Sequence, residues 1–590
     1  MTRRRTGPEA LLARSGLGPE AAAAVRATVR ATGLWRRENA DVCRELIAHF
    51  LDGREAGVDE AALVRDFGDP RAAARLIGRA KRRQRPLAWH AAMWGVRGVA
   101  GVFALAICLY GVLAWRYYSA TPVIRRDYVA EINAAAAAVP ESERAWPVYR
   151  GAMTRLKPMF GRDGVWENIS SAEPHWPRWP EMRRAIEERQ EEIAALRKAS
   201  EMSSLGWVAS ASFDPDDAAL FGPDPRGARR SSSGMMLVVE VLLPHLNWLK
   251  KSAALLSADA RVAALAGDGA RAAADIEAML GVSRHVREIR LLISDLVAAS
   301  ILQKAAQTAA WCVHNAPSSL SDRDLRVLAH ALSAAPTRLS VASERVAFDD
   351  FLQRVYSDDG NGGGAATAEG LRLWEKMSED GGAASAARGN RSLDVLEAAL
   401  GPLTVAAWAG RSEMAAAAER LYAAAQADAD APVILAGKGR IDAEMEALQR
   451  TPLGSARYAL LLQIFPNWKE SFRAMHETAM HLDGAMVALV MESFRRLHGR
   501  LPVSLEELVP EHLPSVPRDR YDGRPLRMTE IDGVLTVYSI GRNLSDDVAS
   551  SASDDLILYP PRPRKPPAPP VDDEDSEPVE RPIEAGPTPR

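Results

Sequence analysis

The chain has 590 residues, of which 47% are hydrophobic and 26% are charged. A usual domain has about 100 to 200 residues, so the length predicts several folded units, and the composition excludes a wholly disordered or collagen-like chain. The 74 basic and 77 acidic residues give a net charge of −3. No global positive field therefore attracts nucleic acid, and no nucleic-acid partner is expected. The three cysteines, Cys43, Cys108 and Cys312, are widely spaced, which argues against a disulfide framework or a cysteine zinc site.

Residues 1–85 read as a small helical unit. Residues 20–33 are rich in alanine, and the next stretch repeats apolar residues at helical spacing, ending at Gly53: Val42, Leu46, Ile47 and Phe50. A further helix is predicted after Asp59 as its N-cap. Asp69 and Pro70 then open another helix, with Ala73, Leu76 and Ile77 on one face.

The sequence RELIAHFLDG, followed by DEAALVRDFGDPRAAARLI, resembles the helical domain associated with signalling (HAAS) of bacterial membrane proteins. The resemblance covers residues 35–80, and its most specific part is the turn from Phe67 to Pro70. It implies a small interaction module without catalytic function. An ordinary three-helix packing unit next to the membrane is the alternative.

Residues 98–115 form an uncharged apolar stretch of 18 residues between Arg97 and Arg116. A helix of this length reaches about 27 Å, close to the thickness of a hydrocarbon core of about 30 Å. Flanking tryptophans and tyrosines are typical of membrane interfaces, so we predict one transmembrane helix and a lipid-bilayer partner. The stretch lies too far from the start for a signal peptide.

The flanking charges predict how the chain is oriented in the membrane. Five cations lie just before the span: Arg79, Lys81, Arg82, Arg83 and Arg85. Fewer follow it, so the positive-inside rule predicts a single-pass cell-membrane protein with a cytoplasmic N-terminus and an extracytoplasmic bulk.

Residues 116–470 are predicted to form a large extracytoplasmic α-helical domain. One apolar stripe runs along Leu242, Leu246, Leu249, Ala253 and Leu256, and a second along Ile289, Ile293 and Leu296. Residues 258–280 superficially resemble a tetratricopeptide unit, but without a repeat at a fixed period an irregular bundle is favoured. Surface loops are predicted at 202–234 and 357–392.

Three local patterns in this region and beyond are weighed as sites. Four tryptophans near prolines predict structural bracing in preference to a ligand groove: Trp146, Trp166, Trp176 and Trp179. The loop from Asp359 to Gly370 resembles an EF-hand but lacks the bidentate glutamate, so a flexible glycine loop is favoured over a calcium site. His476 and His481 are five residues apart, which places them about 140° apart on a helix and excludes a zincin motif.

Residues 471–559 carry the strongest local signal. A long helix is predicted over about 472–498, then a hairpin turned at Asp532 and Gly533. This region resembles the C-terminal module of type II secretion major (G-like) pseudopilins, an α+β module with a small antiparallel sheet. The segments that carry the resemblance are RLHGRLPVSLEELVPEHLPSVPRDRYDGRPLRM, VYSIGRN and SDDVASSASDDLILYP.

The pseudopilin resemblance implies a Ca²⁺ ion in the loop before the last strand. The corresponding residues here are Asn543, Ser545, Asp546, Asp554 and Asp555. Independently, four aspartates within ten residues repel one another unless they are solvated or bridged by a hard cation. A solvated loop is the alternative. The pseudopilin's own N-terminal hydrophobic helix is not present in this position, so assembly into a pseudopilus is not expected.

These patterns predict a mainly α protein: a cytoplasmic helical unit, one transmembrane helix, a large extracytoplasmic helical domain, a small α+β module and, at 560–590, a disordered proline-rich acidic tail. The expected function is a non-enzymatic structural, scaffolding or signalling-associated interaction role with protein partners. The alternatives are an accessory component of a type II secretion or pilus-like system, and an envelope enzyme with an unrecognised site in the helical domain.

Overall fold

The computed structural model describes residues 7–160, 169, 172–209, 214–222, 238, 243–380, 391–434, 437, 439–550 and 554–562, with the backbone alone in 376–380 and 391–398. The chain is mainly helical, with 67% of it in helices and a small three-stranded antiparallel sheet near the C-terminus, as the sequence predicted at this coarse level. It divides into two compact units, Met1–Val112 and Leu113–Arg590. The acidic tail from residue 563 onward lies outside the described residues.

The helices and strands follow one another in a simple order along the chain. The helices are α1 Pro8–Leu12, α2 Pro19–Ala31, α3 Arg36–Glu55, α4 Glu60–Phe67, α5 Pro70–Arg83, α6 Leu87–Ser119, α7 Tyr128–Ala137, α8 Trp146–Leu156, α9 Trp179–Glu187, α10 Gln190–Glu201, α11 Ala218–Phe221, α12 Pro244–Leu265, α13 Gly269–Val286, α14 Leu292–Asn315, α15 Asp322–Ser333, α16 Val341–Val355, α17 Ala368–Asp380, α18 Arg391–Ala407, α19 Arg411–Ala429, α20 Arg440–Gln449, α21 Gly454–Arg457, α22 Ala459–Ile464 and α23 Trp468–His498. The strands are β1 Arg527–Ile531, β2 Val534–Ser539 and β3 Leu556–Tyr559.

The first unit packs helices α1 to α5 around one small core. The predicted apolar face of α3 is confirmed, because its four members are buried against α1 and α2: Val42, Leu46, Ile47 and Phe50. Asp69 caps α5 by accepting hydrogen bonds from the backbone N–H groups of Arg71 and Ala72. This satisfies donors that the first turn of a helix leaves without a partner.

Two details of the first unit differ from the sequence prediction. Gly53 does not end α3, which continues to Glu55; a Cβ there would lie 2.7 Å from a methyl group of Leu63, so a small residue is needed for close packing. The predicted apolar face of α5 is also wrong in part. Leu76 is 68% exposed, and the buried positions are Ala74 and Gly78.

Helix α6 contains the predicted span and extends well past it at both ends, from Leu87 to Ser119. Among the described residues, α6 is the single helix that is both long enough and apolar enough to cross a membrane. None of its most apolar 18-residue window is buried. Large apolar side chains along it, such as Phe103 and Ile107, are about two-thirds exposed at 66% and 68%. Such a surface is unfavourable in water and suits a hydrocarbon environment.

The second unit is built on consecutive helices that pack side by side. Helices α12, α13 and α14 contact one another, and the predicted stripe on α12 is confirmed at Leu246, Leu249, Ala253 and Leu256, whereas Leu242 lies outside the described residues. The second predicted stripe is wrong in part. Ile289 is buried ahead of α14, but Ile293 is 50% exposed, because α14 begins only at Leu292 and turns other positions inward.

Helix α23 has two buried faces. Leu482, Ala485 and Leu489 belong to the core shared with α12–α14, whereas Met480 and Val487 belong to the core of the C-terminal segment. The boundary predicted from the sequence, between 470 and 471, therefore lies inside α23, the helix that both cores share. The helix ends at Gly499, which adopts a left-handed conformation with φ 71°.

The sheet has the order β1-β2-β3, with both pairs antiparallel. The predicted hairpin is confirmed: Ile531 pairs with Val534 across Asp532 and Gly533, whose φ values are 50° and 77°. Positive φ at both central residues is the geometry of a tight hairpin turn. The final strand β3 adds to β2, and a bulge interrupts the register between Val537 and Tyr538.

The predicted surface loops are partly wrong. The stretch 357–392 contains helix α17 and the start of α18. In the other stretch, Leu205, Trp207 and Ala209 are buried in the main core, whereas 210–213 and 223–234 lie outside the described residues. Glycine and serine content predicts loops poorly where apolar residues return at helical spacing, as Leu371 and Trp374 do.

Candidate functional site

A large cleft lies in the second unit between helices α15 and α23 and the segment 511–520. We call it the α15–α23 cleft; its volume is about 1250 Å³. One wall carries Leu325 and Ala329 of α15 and Met486 and Val490 of α23, and the other carries residues 511–518. An apolar surface with a few charged groups is the usual composition of a binding site.

Asp483 and Arg520 are two of the charged residues that line this cleft. Burial raises the pKa of Asp483 to about 6, and the positive charge of Arg520 offsets part of that rise. The Nε of Arg520 is buried without a hydrogen-bond partner among the described residues. Arg520 also lines a smaller cavity of about 340 Å³ together with His476, whose pKa burial and the same Arg520 lower to about 4.

The cleft therefore contains the carboxyl group of Asp483, whose pKa is about 6, and the guanidinium of Arg520, whose Nε has no hydrogen-bond partner among the described residues. Three further arginines line it, namely Arg326, Arg496 and Arg518. Arg496 is engaged with Asp322 at 2.8 Å, and Arg518 donates to the carbonyl of Gly523 at 2.8 Å. This arrangement favours a ligand that combines apolar surface with negative charge.

The segment that forms the second wall is fixed by Asp519, which is fully buried. One of its carboxylate oxygens accepts from the N–H of Tyr521 at 2.9 Å and the hydroxyl of Ser539 at 2.8 Å. The other accepts from the N–H of Ile540 and from Nη1 of Arg527, both at 3.0 Å. Four donors on one carboxylate tie residues 519–527 to the end of β2.

Two histidines and a glutamate gather where α23 ends. His498, Glu511 and His512 each offer one donor atom, and these atoms lie within 4.8 Å of one another. Glu511 and His512 also line the α15–α23 cleft. Residues of these types at this separation can hold a metal ion.

The predicted calcium ligands fall into two groups. Asn543 and Ser545 both donate to Asp547, at 2.9 and 3.4 Å. Asp546 accepts from Nε of Arg527 at 2.9 Å and from the hydroxyl of Tyr538 at 3.0 Å. A calcium ion bound by Asp546 would therefore compete with Arg527.

The other two predicted calcium ligands precede β3. Asp555 is buried and accepts from the N–H of Ala549 at 2.7 Å, which ties the two ends of the loop together. Asp554 is exposed, and residues 551–553 between the two groups lie outside the described residues. Calcium in this loop stays a prediction.

The glycine loop near residue 360 is held by its own aspartates. Asp359 accepts from the N–H groups of Asn361 and Gly363, at 2.8 and 2.9 Å. Asp358 pairs with Arg125 and Arg411, each at 3.0 Å. Asp359 thus stabilises the turn of the loop, and Asp358 ties the loop to arginines elsewhere in the second unit.

The tryptophan prediction is confirmed for three of its four residues. Trp146, Trp176 and Trp179 are buried in the main core, and Nε1 of Trp146 donates to Asp217 at 3.0 Å. They brace the helical bundle, as the sequence indicated. Trp166 lies outside the described residues.

Sequence reasoning missed the residues of the cleft. Asp483 lies within the long predicted helix, and Arg520 lies in a turn, with no spacing that links them. His498 and His512 are 14 residues apart in a chain with 11 scattered histidines, and this spacing matches no common metal-binding motif. The signal that could have identified them is a histidine at a helix end followed, beyond a short proline-containing stretch, by Glu-His.

Comparison with known proteins identifies no relatives: the chain matches no protein-family profile, no curated protein and no solved structure.

Proposed function

We propose that this chain is a single-pass bacterial membrane protein with an interaction role in the cell envelope. Residues 1–85 are cytoplasmic, α6 crosses the bilayer, and the second unit is extracytoplasmic. The observation that carries this proposal is the exposed apolar surface of α6, whose most apolar window has a mean hydropathy of 2.1 and is 0% buried. Basic residues in the last turn of α5 agree with a cytoplasmic side for the first unit.

Cysteine labelling in intact cells tests this topology. Cys312 cannot report the outside, because it is fully buried. We therefore use Ala10→Cys and Glu530→Cys, both at exposed positions. A membrane-impermeant maleimide should label the cysteine at 530 and reach the cysteine at 10 only after permeabilisation. Labelling at 10 alone in intact cells would contradict the proposal.

The interaction is proposed to take place in the α15–α23 cleft, with an extended polypeptide segment that carries acidic side chains. Support comes from the apolar walls and from the cationic groups Arg326, Arg518 and Arg520. Asp483 and Glu511 are the acids that remain once Asp322 is paired with Arg496. Opposite charge steers such a partner and fixes its register.

Short acidic peptides with apolar residues serve as the probe, compared with the same peptides carrying Gln and Asn in place of Glu and Asp. The acidic set should bind the full-length chain more tightly in fluorescence polarisation, and Arg326→Gln should weaken that binding. Arg189→Gln, at an exposed position outside the cleft, is the matched control. Equal binding of the two peptide sets would exclude an acidic partner.

The acidic loop is proposed to bind calcium through Asn543, Ser545, Asp546, Asp554 and Asp555. Support comes from the sequence before β3, where residues 543–555 offer carboxylate, hydroxyl and amide oxygens, the donor types that calcium prefers. Millimolar calcium should raise the melting temperature of the full-length chain in detergent more than magnesium does. Asp554→Asn combined with Asp555→Asn should abolish the difference. A chain that ignores calcium would leave a solvated loop.

An accessory role in a type II secretion or pilus-like system is the second candidate. It is favoured by one observation: α23, a helix of 31 residues, packs on the small antiparallel sheet through β3. Deletion of the gene in its host, followed by measurement of secreted proteins, separates the two. Loss of secretion supports the accessory role, and unchanged secretion supports the interaction role.

A further inference from the structure

We propose that His498, Glu511 and His512 form a binding site for a divalent transition-metal ion, zinc being the representative ion. This site lies outside the acidic loop and does not depend on the interaction role proposed above. The donor atoms of the three side chains lie within 4.8 Å of one another. Zinc bonds of about 2.1 Å in tetrahedral geometry separate donors by roughly 3.4 Å. The exposed carboxylate of Glu511 can turn toward the two imidazoles, so that only small shifts of the histidine rings would be needed to reach this separation.

The backbone around the three residues is fixed by local structure. His498 is the last residue of α23, and the left-handed Gly499 ends the helix behind it. His512 and Leu513 both donate backbone N–H groups to the carbonyl of Leu508 at 2.9 Å. Since Leu508 and Leu513 are 0% and 2% exposed, this turn is anchored in the core.

Phe494 positions the two imidazoles. Its ring centroid lies 4.2 Å from that of His498 and 5.7 Å from that of His512, and Phe494 is itself buried. The two histidine rings are 6.3 Å apart and nearly perpendicular, at 85°. Both rings therefore pack on one fixed aromatic surface, which reduces the side-chain entropy lost when they bind an ion.

A second observation points to a ligand at this place. The Nε2 of His512 is buried and has no hydrogen-bond partner among the described residues. A buried imidazole nitrogen without a partner is costly, and coordination to a cation would satisfy it. The C-terminal end of α23 adds a favourable field, because the helix dipole places partial negative charge there.

The donor set selects the kind of ion. Two imidazole nitrogens and one carboxylate suit zinc and the neighbouring first-row ions, whereas calcium and magnesium prefer oxygen ligands throughout. Three protein ligands leave a fourth position free. Glu511 and His512 also line the α15–α23 cleft, so the proposed site borders that cleft.

Cobalt titration of the full-length chain tests the site. The protein is purified in detergent without a histidine tag and stripped with a chelator, and Co²⁺ is followed by its visible absorption, with Zn²⁺ as competitor. We expect one ion per chain. His498→Gln and His512→Gln should each weaken binding by at least about tenfold, a loss of the size seen when support of a metal ligand is removed. His175→Gln, at an exposed position outside the cluster, is the matched control and should bind as the parent does.

A second measurement needs no variant. Zn²⁺ should protect His498 and His512 in the parent chain from diethylpyrocarbonate, as mapped by mass spectrometry, while His175 and His330 stay reactive. The proposal is overturned if the double variant His498→Gln with His512→Gln binds cobalt as tightly as the parent. Equal modification of all four histidines with and without zinc would overturn it as well.

Discussion

Two aspartates in the C-terminal region, the buried Asp519 and the partly buried Asp483, differ in their effect on stability because their hydrogen-bond partners differ. Asp519 is surrounded by four donors, which compensate the water it loses. Asp483 faces the α15–α23 cleft, and burial is the larger influence on its pKa. The first residue therefore supports the fold, whereas the second costs stability when it is ionised.

Asp483→Asn should stabilise the protein above pH 6. The native pKa of about 6 exceeds the ordinary carboxyl value of 3.8, so the native state binds more protons between these values. The contribution of Asp483 to stability therefore falls as pH rises from about 4 to about 6 and then stays level. The variant should gain about 1 to 2 kcal/mol at pH 7.5, after allowance for solvent in the cleft, and nothing near pH 4.

Urea unfolding at the two pH values measures this difference. Glu530→Gln, at an exposed position on β1, is the control and should change the midpoint little at either pH. If the difference in unfolding free energy between Asp483→Asn and the parent is the same at both pH values, the raised pKa of Asp483 is contradicted.

Asp519→Ala should destabilise the second unit by about 3 to 5 kcal/mol, because the change leaves Arg527 and three other donors without a buried acceptor. Asp522→Ala removes a different partner of the same guanidinium, at 2.6 Å, from a side chain that is 19% exposed. That control should cost about 1 kcal/mol or less. Denaturant melts of both variants give the comparison, and similar losses would show that Asp519 is not the organising residue.

At the scale of elements, α23 connects the helical bundle to the sheet. One face lies against α14 and α15, and the other packs on β3 and the 3-10 turn Leu505–Leu508. The close approach of α23 to β3 depends on Gly484, where a Cβ would collide with Leu558. A glycine within a helix is normally unfavourable, so its presence here has a packing reason.

Gly484→Ala should destabilise the protein by about 1 to 3 kcal/mol, since the clash outweighs the gain in helix propensity. Gly151→Ala in α8 is the matched control: a Cβ there meets nothing within 4 Å, so this change should stabilise by about 0.5 to 1 kcal/mol. Thermal melts measure both. Stabilisation by Gly484→Ala would show that α23 and β3 are farther apart than described.

At the scale of the whole molecule, the two compact units divide within α6, between Val112 and Leu113. The apolar surface of α6 is exposed, whereas α12, α14 and α23 bury theirs. Solubility and membrane attachment should therefore separate cleanly along the chain.

A fragment of residues 120–562 should be soluble and folded without detergent. It lacks α6 and keeps α7 to β3, including the cores on both faces of α23. Size-exclusion chromatography and a cooperative melt test this expectation. The control is residues 87–562, which restore α6 and should require detergent. Aggregation of the shorter fragment would show that a second apolar surface needs cover.

Much of the secondary structure could be predicted because hydropathy and helical period are properties of neighbouring residues. The stripe on α12, the length of α6 and the turn at Asp532 and Gly533 all follow from contiguous positions. The predictions for Ile293 and Leu76 failed because the period locates an apolar face, whereas the neighbouring helices determine which positions they cover.

The α15–α23 cleft and the proposed metal site, in contrast, could not be predicted from the sequence. Composition and local spacing are sufficient to predict a mainly helical chain with a long apolar helix and a small sheet, since those features need only short-range information. The α15–α23 cleft brings Asp322 and Arg520 to one surface, and the proposed metal site brings together His498 and His512, which precede and follow a reversal of the chain. Contacts between residues so far apart in sequence depend on which helices pack together and at what angle, because long-range contacts are determined by the fit of whole surfaces.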